Sequence, residues 1–397
     1  MLVEILLFLF LGFCAGTVFG ILPGIHPNMI VLLVPFMGFL GIPLLPLLAF
    51  VVSMSVSNAI MSFVPSILLG APEPGNEMSV LPGHKMLLSG HGYDAVKLSV
   101  IGALGAGVFT VILMPALFLS VPPLYGLIRP FIHFLLMGVS LIIVMTENTL
   151  KKKALAVFVF LFSGAVGLAS LNLPMDNILL LFPILSGFFG ISTLVLQISK
   201  KSSIPKQSKK EIYVSQKTLS GSVLKGSLGG VLAGFLPGVG SSQIAAVMSR
   251  DKNEKSFLVA IGAISVANIF LSILSLWLIG RPRSGAAVVV DQLFTIGFNE
   301  VLFIAAVSVL CTGLSVVLTL LVAKKCLALL EKINYSKCSA AIICFIVFLT
   351  LAFTGFFGVL LLATTAAFGV FVNLANIKRG AMMGVLILPT ILFYAGF

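Results

Sequence analysis

The chain has 397 residues, of which 59% are hydrophobic and only 9% are charged, with a net charge of +12. Soluble globular proteins carry about 25% charged residues, so this composition excludes an ordinary soluble domain. Long apolar runs recur from end to end, many close to the roughly 20 residues that cross a bilayer as a helix. The alternating segments typical of a membrane β-barrel are absent. We therefore predict an all-α, polytopic membrane protein.

The first apolar run covers residues 1–20. It lacks the basic start and the small-residue cleavage site of a secretory signal, so we predict a retained membrane segment. The stretch FGILPGIHPN follows at 19–28, and AGFLPGVGSS stands at 233–242. Proline removes a backbone donor and glycine permits turns that other residues resist. Each Leu-Pro-Gly is therefore predicted to interrupt a helix.

Lysine and arginine lie in short loops between apolar runs, so membrane topology explains the positive charge better than nucleic-acid binding does. We place the basic segments in the cytoplasm: 151–153, 200–217, 250–255, 324–337 and 378–379. The spans are predicted near 51–70, 96–119, 128–145, 154–171 and 177–198, then 257–280, 298–323, 339–356, 357–376 and 381–397. This topology puts both termini outside a cell membrane, with Glu147, Asp176 and Asp291 solvated at the ends of spans.

A shifted comparison of the chain with itself indicates an internal repeat. A shift of 214 aligns Gly16, Gly20, Pro23 and Gly24 with Gly230, Gly234, Pro237 and Gly238. A shift of 210 aligns SVSNAIMS with SVANIFLS, and Gly70 with Gly280; a shift of 205 aligns GYDAV with GFNEV. We predict two repeats of inverted topology, 1–198 and 219–397, joined by a basic cytoplasmic linker at 199–218. Each repeat has a Pro-Gly-broken helical hairpin and about five spans.

Paired breaks in inverted halves point to a transporter site near the midplane, because interrupted backbone is tolerated only where it lines a cavity or packs on protein. A single Pro-Gly pair would more often be a packed kink. The candidate substrate-binding residues are Pro23, Gly24, His26, Asn28, Pro237, Gly238, Gly240, Ser241, Ser242 and Gln243. The candidates for contact with substrate or a coupling ion are Ser55, Ser57, Asn58, Ser265, Asn268, Glu73 and Glu77.

Glu73 and Glu77 lie in the polar stretch 70–97, which is either an ordinary loop or a segment that dips toward the cavity to couple H⁺ or Na⁺ transport. Intramembrane Asn58 and Asn268 are equally compatible with interhelical packing. The five cysteines show no metal or disulfide spacing, and no ATP-binding motif is present. We therefore expect no metal and no cofactor beyond a coupling ion.

The ordered segments GTVFGILPGIHPN, GAPEPGNEMSVLPGHKMLLSGHGYDAVKLSVIGALGAG, NLPMDNILLLFPILSGFFGISTLVL and GGVLAGFLPGVGSSQIAAVMSRDKNEKSFLVAIGAISVAN resemble the large membrane subunit of tripartite tricarboxylate transporters. The short chain and its RGAMMGVLILPTILFY ending are similar to the compact archaeal branch. The resemblance implies secondary active transport of an organic anion, and as partners a small membrane subunit and an extracytoplasmic binding protein. His26 and Asn28 depart from the family pattern, and the compact branch could act without those partners.

Two alternatives stay open at this point. The first is translocation of a polyprenyl phosphate or another lipid phosphate, since helix N-termini suit phosphate groups. The second is an intramembrane hydrolase, although His26 is the one plausible base near a break and no residue completes a catalytic pair. We expect a permease rather than an enzyme, with a small anionic solute and membrane lipids as partners and no nucleic acid. A homodimer is one option for the oligomeric state.

Overall fold

The computed structural model describes residues 1–22, 42–70, 77–173, 175, 177–199, 205–208, 212–236, 240–248, 253–293, 295–330 and 335–396. Within these ranges all regular secondary structure is helical. The α-helices of the first half are α1 (Leu2–Ile21), α2 (Leu44–Met61), α3 (Val80–Leu88), α4 (Gly92–Ile128), α5 (Ile132–Met145), α6 (Leu150–Leu171), α7 (Asn177–Leu185) and α8 (Ser192–Ser199). Those of the second half are α9 (Gln216–Phe235), α10 (Ser241–Met248), α11 (Glu254–Ile279), α12 (Gly285–Leu293), α13 (Phe298–Leu330), α14 (Tyr335–Leu374) and α15 (Gly384–Ala395).

Shorter helical turns connect or extend several of these helices. Two π-helical segments, Pro65–Leu69 and Ser186–Ile191, extend α2 and join α7 to α8. Three 3₁₀ turns lie at Glu77–Ser79, Arg129–Phe131 and Arg379–Met383. In α14 the backbone leaves the helical region at Gly355, with φ 63° and ψ −165°. That break falls at the predicted boundary between the spans 339–356 and 357–376.

Seven of the described helical segments are long and apolar enough to cross a membrane: Leu2–Ile21, Leu44–Leu69, Gly92–Met145, Leu150–Ser170, Glu254–Ile279, Phe298–Leu330 and Ser339–Leu374. The outward faces are apolar too. Ile112, Leu119 and Leu127 on α4 are each more than two-thirds exposed, as expected for side chains that contact lipid. The prediction of an all-α, multi-pass membrane protein is confirmed. The inverted-repeat organisation stays a prediction.

Helices α2 and α11 form the centre of the molecule, because most residues of both are buried. Each ends on a glycine in the left-handed conformation: Gly70, at the end of the π-helical extension of α2, with φ 68°, and Gly280, after α11, with φ 60°. Glycine is favoured there because it lacks the Cβ that penalises this conformation. The two glycines are a pair that the shift of 210 aligns.

Glycines on α1 and α9 allow these helices to approach the central pair closely. On α1, Gly12, Gly16 and Gly20 lie directly against α2, where a larger side chain would overlap the neighbouring helix. Their neighbours are, in order, Phe50 with Ser53, Met54 with Ser57, and Asn58 with Met61. Residue numbers rise together along both helices, so α1 and α2 are parallel. Close approach through small residues is a common way for membrane helices to associate.

The pair α9 and α11 packs in the same register. Gly226, Gly230 and Gly234 of α9 meet, in order, Ala260 with Ala263, Ile264 with Ala267, and Leu271. The shift of 214 relates each of these glycines to its counterpart on α1, and the shift of 210 relates each of these partners to its counterpart on α2. The two shifts that aligned the sequence therefore also relate two sets of helix–helix contacts.

A second set of matched contacts lies toward the end of each half, where the sequence comparison found none. Gly167 on α6 lies against Val385 and Pro389 of α15, and Gly369 on α14 lies against Phe188 and Ser192. Conversely, Gly384 meets Phe160 and Ser163, and Gly187 meets Leu362 and Thr365. A shift of 202 relates α6 to α14, and a shift of 197 relates residues 187–192 to 384–389. Each half thus packs its last helices against the other half.

Candidate functional site

The helices that lead to the two Pro-Gly pairs end in the same way. After α1, Leu22 is extended with φ −84° and ψ 108°; after α9, Leu236 is extended with φ −85° and ψ 128°. Leu22 and Leu236 correspond under the shift of 214. A residue that precedes proline is driven away from the helical conformation, so each helix stops where the sequence predicts a break.

Several predicted site residues lie outside the described part of the chain: Pro23, Gly24, His26, Asn28, Glu73, Pro237 and Gly238. For Glu77, Ser242 and Gln243 the structure describes the backbone but not the side chain. We call the pairs Pro23-Gly24 and Pro237-Gly238 the Pro-Gly corners. That the two corners lie close together therefore stays a prediction. After the second corner, the described residues begin again at Gly240. Helix α10 begins at Ser241, which is buried.

The structure places both predicted asparagines beside the helices that lead to the breaks. Asn58 is buried, and its backbone lies against Gly20, two residues before the first extended leucine. Asn268 is half-buried, and its backbone lies near Gly230 on α9. The Asn268 Oδ1 atom also accepts a hydrogen bond of 3.4 Å from the Ser272 hydroxyl. Both asparagines thus lie in the interior of the bundle, on its two central helices.

Ser55 and Ser57 each satisfy the hydroxyl donor within their own helix. Ser55 donates to the carbonyl of Val51 at 2.8 Å, and Ser57 donates to the carbonyl of Ser53 at 2.7 Å. Ser265 is buried on α11. A hydroxyl that donates to its own helix keeps its lone pairs as acceptors. In these positions the Ser55 and Ser57 hydroxyl oxygens can only accept a hydrogen bond or bind a cation. They therefore suit a cation better than an anion.

Arg379 is a functional candidate that the sequence reasoning missed. We placed it in a cytoplasmic basic segment, and that side of the membrane stays a prediction; in the structure the residue is buried, with only 9% of it exposed. Its Nε donates to Asn373 Oδ1 at 3.0 Å. Its Nη1 is buried and has no hydrogen-bond partner among the described residues. One feature of the sequence could have indicated this burial: Arg379 directly precedes an apolar helix instead of standing inside a polar loop.

The prediction that Glu147 is solvated is wrong, because this residue is buried. Its Oε1 accepts a hydrogen bond of 2.7 Å from the backbone N–H of Lys378, and the Lys378 ammonium group donates to the carbonyl of Thr146 at 2.6 Å. Together these bonds fix the chain at the residue before Arg379. Of the other two acids, Asp291 is exposed as predicted, and Asp176 lies outside the described residues.

His84 on α3 lies close enough to Arg379 for the two groups to interact electrostatically. Burial is the main cause that lowers the pKa of His84 below 6.5; a hydrogen bond with the Ile67 backbone opposes this change, and the positive charge of Arg379 adds to it. His84 is therefore neutral at pH 7. The positive charge of Arg379 is thus felt at a histidine from a distant part of the sequence.

A sequence profile of the tripartite tricarboxylate transporter TctA family matches residues 6–384. The chain belongs to this family. TctA proteins are membrane components of transporters, so the prediction of a transporter and not an enzyme is confirmed. Membership also implies other subunits and a binding protein as partners. The matched range includes both helix pairs, both Pro-Gly corners and Arg379.

Among relatives, the chain is 31% identical over 404 residues to an uncharacterized protein of Methanocaldococcus jannaschii, and the match covers 98% of each chain. No solved structure shows significant similarity to the chain. The TctA match and this relative agree with the resemblance that the sequence motifs indicated.

Proposed function

We propose that this TctA-family chain is the permease of a secondary active transporter that moves a small organic anion, most simply a carboxylate, by alternating access. The substrate is held between the two Pro-Gly corners, and a gradient of Na⁺ or H⁺ drives the cycle. The observation that carries the proposal is the matched packing of α1 on α2 and α9 on α11. Both pairs lead to a helix break at corresponding residues.

The directions of the helices support an inverted relation between the halves. One end of the bundle is marked by the ion pair between Lys85 on α3 and Glu254 at the start of α11, at 3.1 Å. Ile67, near the end of the segment that extends α2, contacts Gly83 on α3. Helix α2 therefore ends where α11 begins, and these corresponding helices run in opposite directions.

Two further helix pairs agree with this relation. Lys324 of α13 lies over the ring of Tyr93 at the start of α4, so α13 ends where α4 begins. In α6 and α14, Phe162 stacks on Phe368, and the Lys152 ammonium group donates to the carbonyl of Asn376. The residue numbers fall along one helix as they rise along the other. Inverted halves of this kind are common in secondary transporters.

Helix breaks suit anion binding because they free backbone N–H groups and expose the positive end of the following helix dipole. In the second half that helix is α10, which starts at the buried Ser241. Asn58 and Asn268 add hydrogen-bonding side chains on the central helices beside each broken segment. Glu73 and Glu77 are the carboxylates that we assign to the coupling ion.

The topology belongs to the same proposal. The end of the bundle that carries Lys85, Lys324 and the linker residues 205–208 faces the cytoplasm, because cytoplasmic loops are enriched in lysine and arginine. Ser208 in this linker donates its backbone N–H to the carbonyl of Gly90 at 2.7 Å, which places the linker at that end. Both termini then face outside.

The test is binding and uptake by the purified protein. We expect a carboxylate to raise the thermal melting temperature of the wild type, because a ligand that binds only the native state stabilises it. The Gly24→Leu and Gly238→Leu variants should lose uptake into proteoliposomes but remain folded in the membrane. Gly221→Leu on α9 is the matched control, because no atom lies within 4 Å of a Cβ there. Uptake by both corner variants at the wild-type rate would refute the proposed site, and stabilisation by lipid phosphates alone would favour a lipid translocase.

A further inference from the structure

We infer that Arg379 is the cation that binds the negatively charged group of the transported solute. This inference rests on the proposed function and deepens it, since it assigns the substrate's charge to a residue outside both Pro-Gly corners. Three observations lead to it: the burial of the guanidinium group, its incomplete hydrogen bonding, and the elements that surround it.

The first observation is a buried cation that has no ion-pair partner among the described residues. Arg379 is more than nine-tenths buried, yet no carboxylate of the described residues lies within the 4.0 Å of an ion pair. The described ion pairs are Met1–Glu4, Lys85–Glu254 and His91–Asp94. A buried charge without a partner is strongly unfavourable, so buried cations are normally paired. An anion from outside the described residues is therefore needed to neutralise Arg379.

The second observation is that the guanidinium group is held in place with donors left over. Its Nε is bound by Asn373 Oδ1 at 3.0 Å, and Asn373 in turn donates through Nδ2 to the carbonyl of Gly369 at 2.8 Å and to the Ser192 hydroxyl at 3.5 Å. One edge of the group is thus fixed to α14 and α8. The buried Nη1 carries two N–H donors with no partner among the described residues. A positioned donor of this kind suits a carboxylate oxygen.

The third observation is the location of Arg379 in the fold. The turn Arg379–Met383 is buried throughout and packs against α10, the helix that follows the second Pro-Gly pair. Helix α10 also contacts the turn Glu77–Ser79. The turn that begins at Arg379 and the turn that begins at Glu77 therefore both pack on the helix that follows the second Pro-Gly pair. An anion held at the start of α10 would come within reach of this group.

The nearby acids provide the competing explanation. Glu77 belongs to the turn that contacts α10, so its carboxylate could neutralise Arg379 in place of a ligand, and Glu73 could do the same. The two explanations differ in what removal of the charge does to the ligand-free protein. If the internal pair exists, its loss leaves a buried carboxylate and destabilises the protein. If the site is empty without ligand, removal of an unpaired buried cation stabilises it.

The experiment compares wild type, Arg379→Met and Arg379→Lys as full-length proteins in detergent, with citrate and succinate in the presence of sodium as probes. Lys325→Gln is the control, because Lys325 is an exposed cation on α13. We expect the probe to raise the melting temperature of wild type and Lys325→Gln but not of Arg379→Met. The ligand-free Arg379→Met protein should melt no lower than wild type. Arg379→Lys keeps the charge but loses the planar donor group, so its Kd should rise about tenfold.

The possible outcomes distinguish the inference about Arg379 from the proposed function. Wild-type binding that Arg379→Met retains at full affinity would overturn this inference and leave the proposed function intact. The inference would also be overturned if Arg379→Met and Glu77→Gln or Glu73→Gln each lowered the ligand-free melting temperature and their combination restored it. A wild type that binds none of the carboxylate probes would refute the carboxylate function and the inference together. If Arg379→Met does not fold, the Kd of Arg379→Lys decides: an unchanged value contradicts the inference.

Discussion

At the scale of single residues, small side chains determine how closely the helices of this protein pack. Three glycines on α1 and three on α9 recur every four residues and face the central helices, where neighbouring carbonyl and side-chain atoms leave no room for a side chain: Gly12, Gly16, Gly20, Gly226, Gly230 and Gly234. The sequence reasoning aligned several of these glycines because they are identical in the two halves. It could not find the contacts near Gly167 and Gly369, because their partners are backbone carbonyls and residues of different types, such as Val385 and Phe188.

Gly230 offers a direct test of this packing. Gly230→Leu should lower the free energy of unfolding by at least about 2 kcal/mol, because the added side chain would force α9 away from Ala267 and Ile264. The measurement is reversible unfolding of the purified protein in mixed micelles. Gly221→Leu on the same helix has open space around the new side chain and should add about 0.5–1 kcal/mol of stability, because glycine is unfavourable inside a helix. Equal effects of the two substitutions would contradict the close approach.

Arg379 and Glu147 show where residue-level prediction failed. Arg379 was assigned to a cytoplasmic loop from the distribution of lysine and arginine, and Glu147 was expected to be solvated because it stands at the end of a predicted span. The charge bias of membrane proteins describes averages over loops and contains no information about tertiary contacts. Burial of Arg379 depends on Asn373 and on the turn that follows, and burial of Glu147 depends on the backbone of Lys378. The contact of Arg379 with Asn373 and the contact of Glu147 with Lys378 form only in the folded structure.

At the scale of elements, most helix boundaries could be predicted from apolar runs and from Pro and Gly. The predicted spans 154–171 and 298–323 correspond to α6, which begins four residues earlier, and to α13, which ends seven residues later. The largest difference is α4, which continues to Ile128 past Pro122 and Pro123. Each of these prolines lacks the N–H that would bond the carbonyl four residues earlier, so α4 continues through positions at which the sequence alone indicates a helix end.

The break in α14 provides a test at the element scale. Gly355 has φ 63° and ψ −165°, a conformation that is almost restricted to glycine. Gly355→Ala should therefore destabilise the protein by about 1–3 kcal/mol, although open space surrounds the new methyl group. Gly313→Ala on α13 is the control: Gly313 is helical, has the same open surroundings, and alanine there should add about 0.5–1 kcal/mol of stability. A stabilising effect at both positions would show that α14 is continuous.

At the scale of the whole molecule, the proposed transport cycle depends on two halves that share one site. The sequence alone predicted the repeat at shifts of 214, 210 and 205, and the helix contacts extend the series to 202 and 197. The shift between corresponding residues thus decreases gradually along the chain. This is expected when the connecting loops of the second half are shorter than those of the first. The shape of the site could not be predicted in the same way, because it depends on the relative positions of segments that lie in different halves of the sequence. The packing of α15 on α6 and of α14 on residues 187–192 links the halves, so movement of one half would be transmitted to the other.

The most direct test of the central claim is the proximity of the two Pro-Gly corners. We propose a variant that lacks the native cysteines and carries His26→Cys and Ser242→Cys, treated with a bifunctional maleimide that has a short spacer. The positive control is the pair Lys85→Cys and Glu254→Cys, whose native side chains are 3.1 Å apart. We predict that the corner pair cross-links within the monomer and that a bound carboxylate slows the reaction. Cross-linking of the control pair without any cross-linking of the corner pair would contradict a shared site.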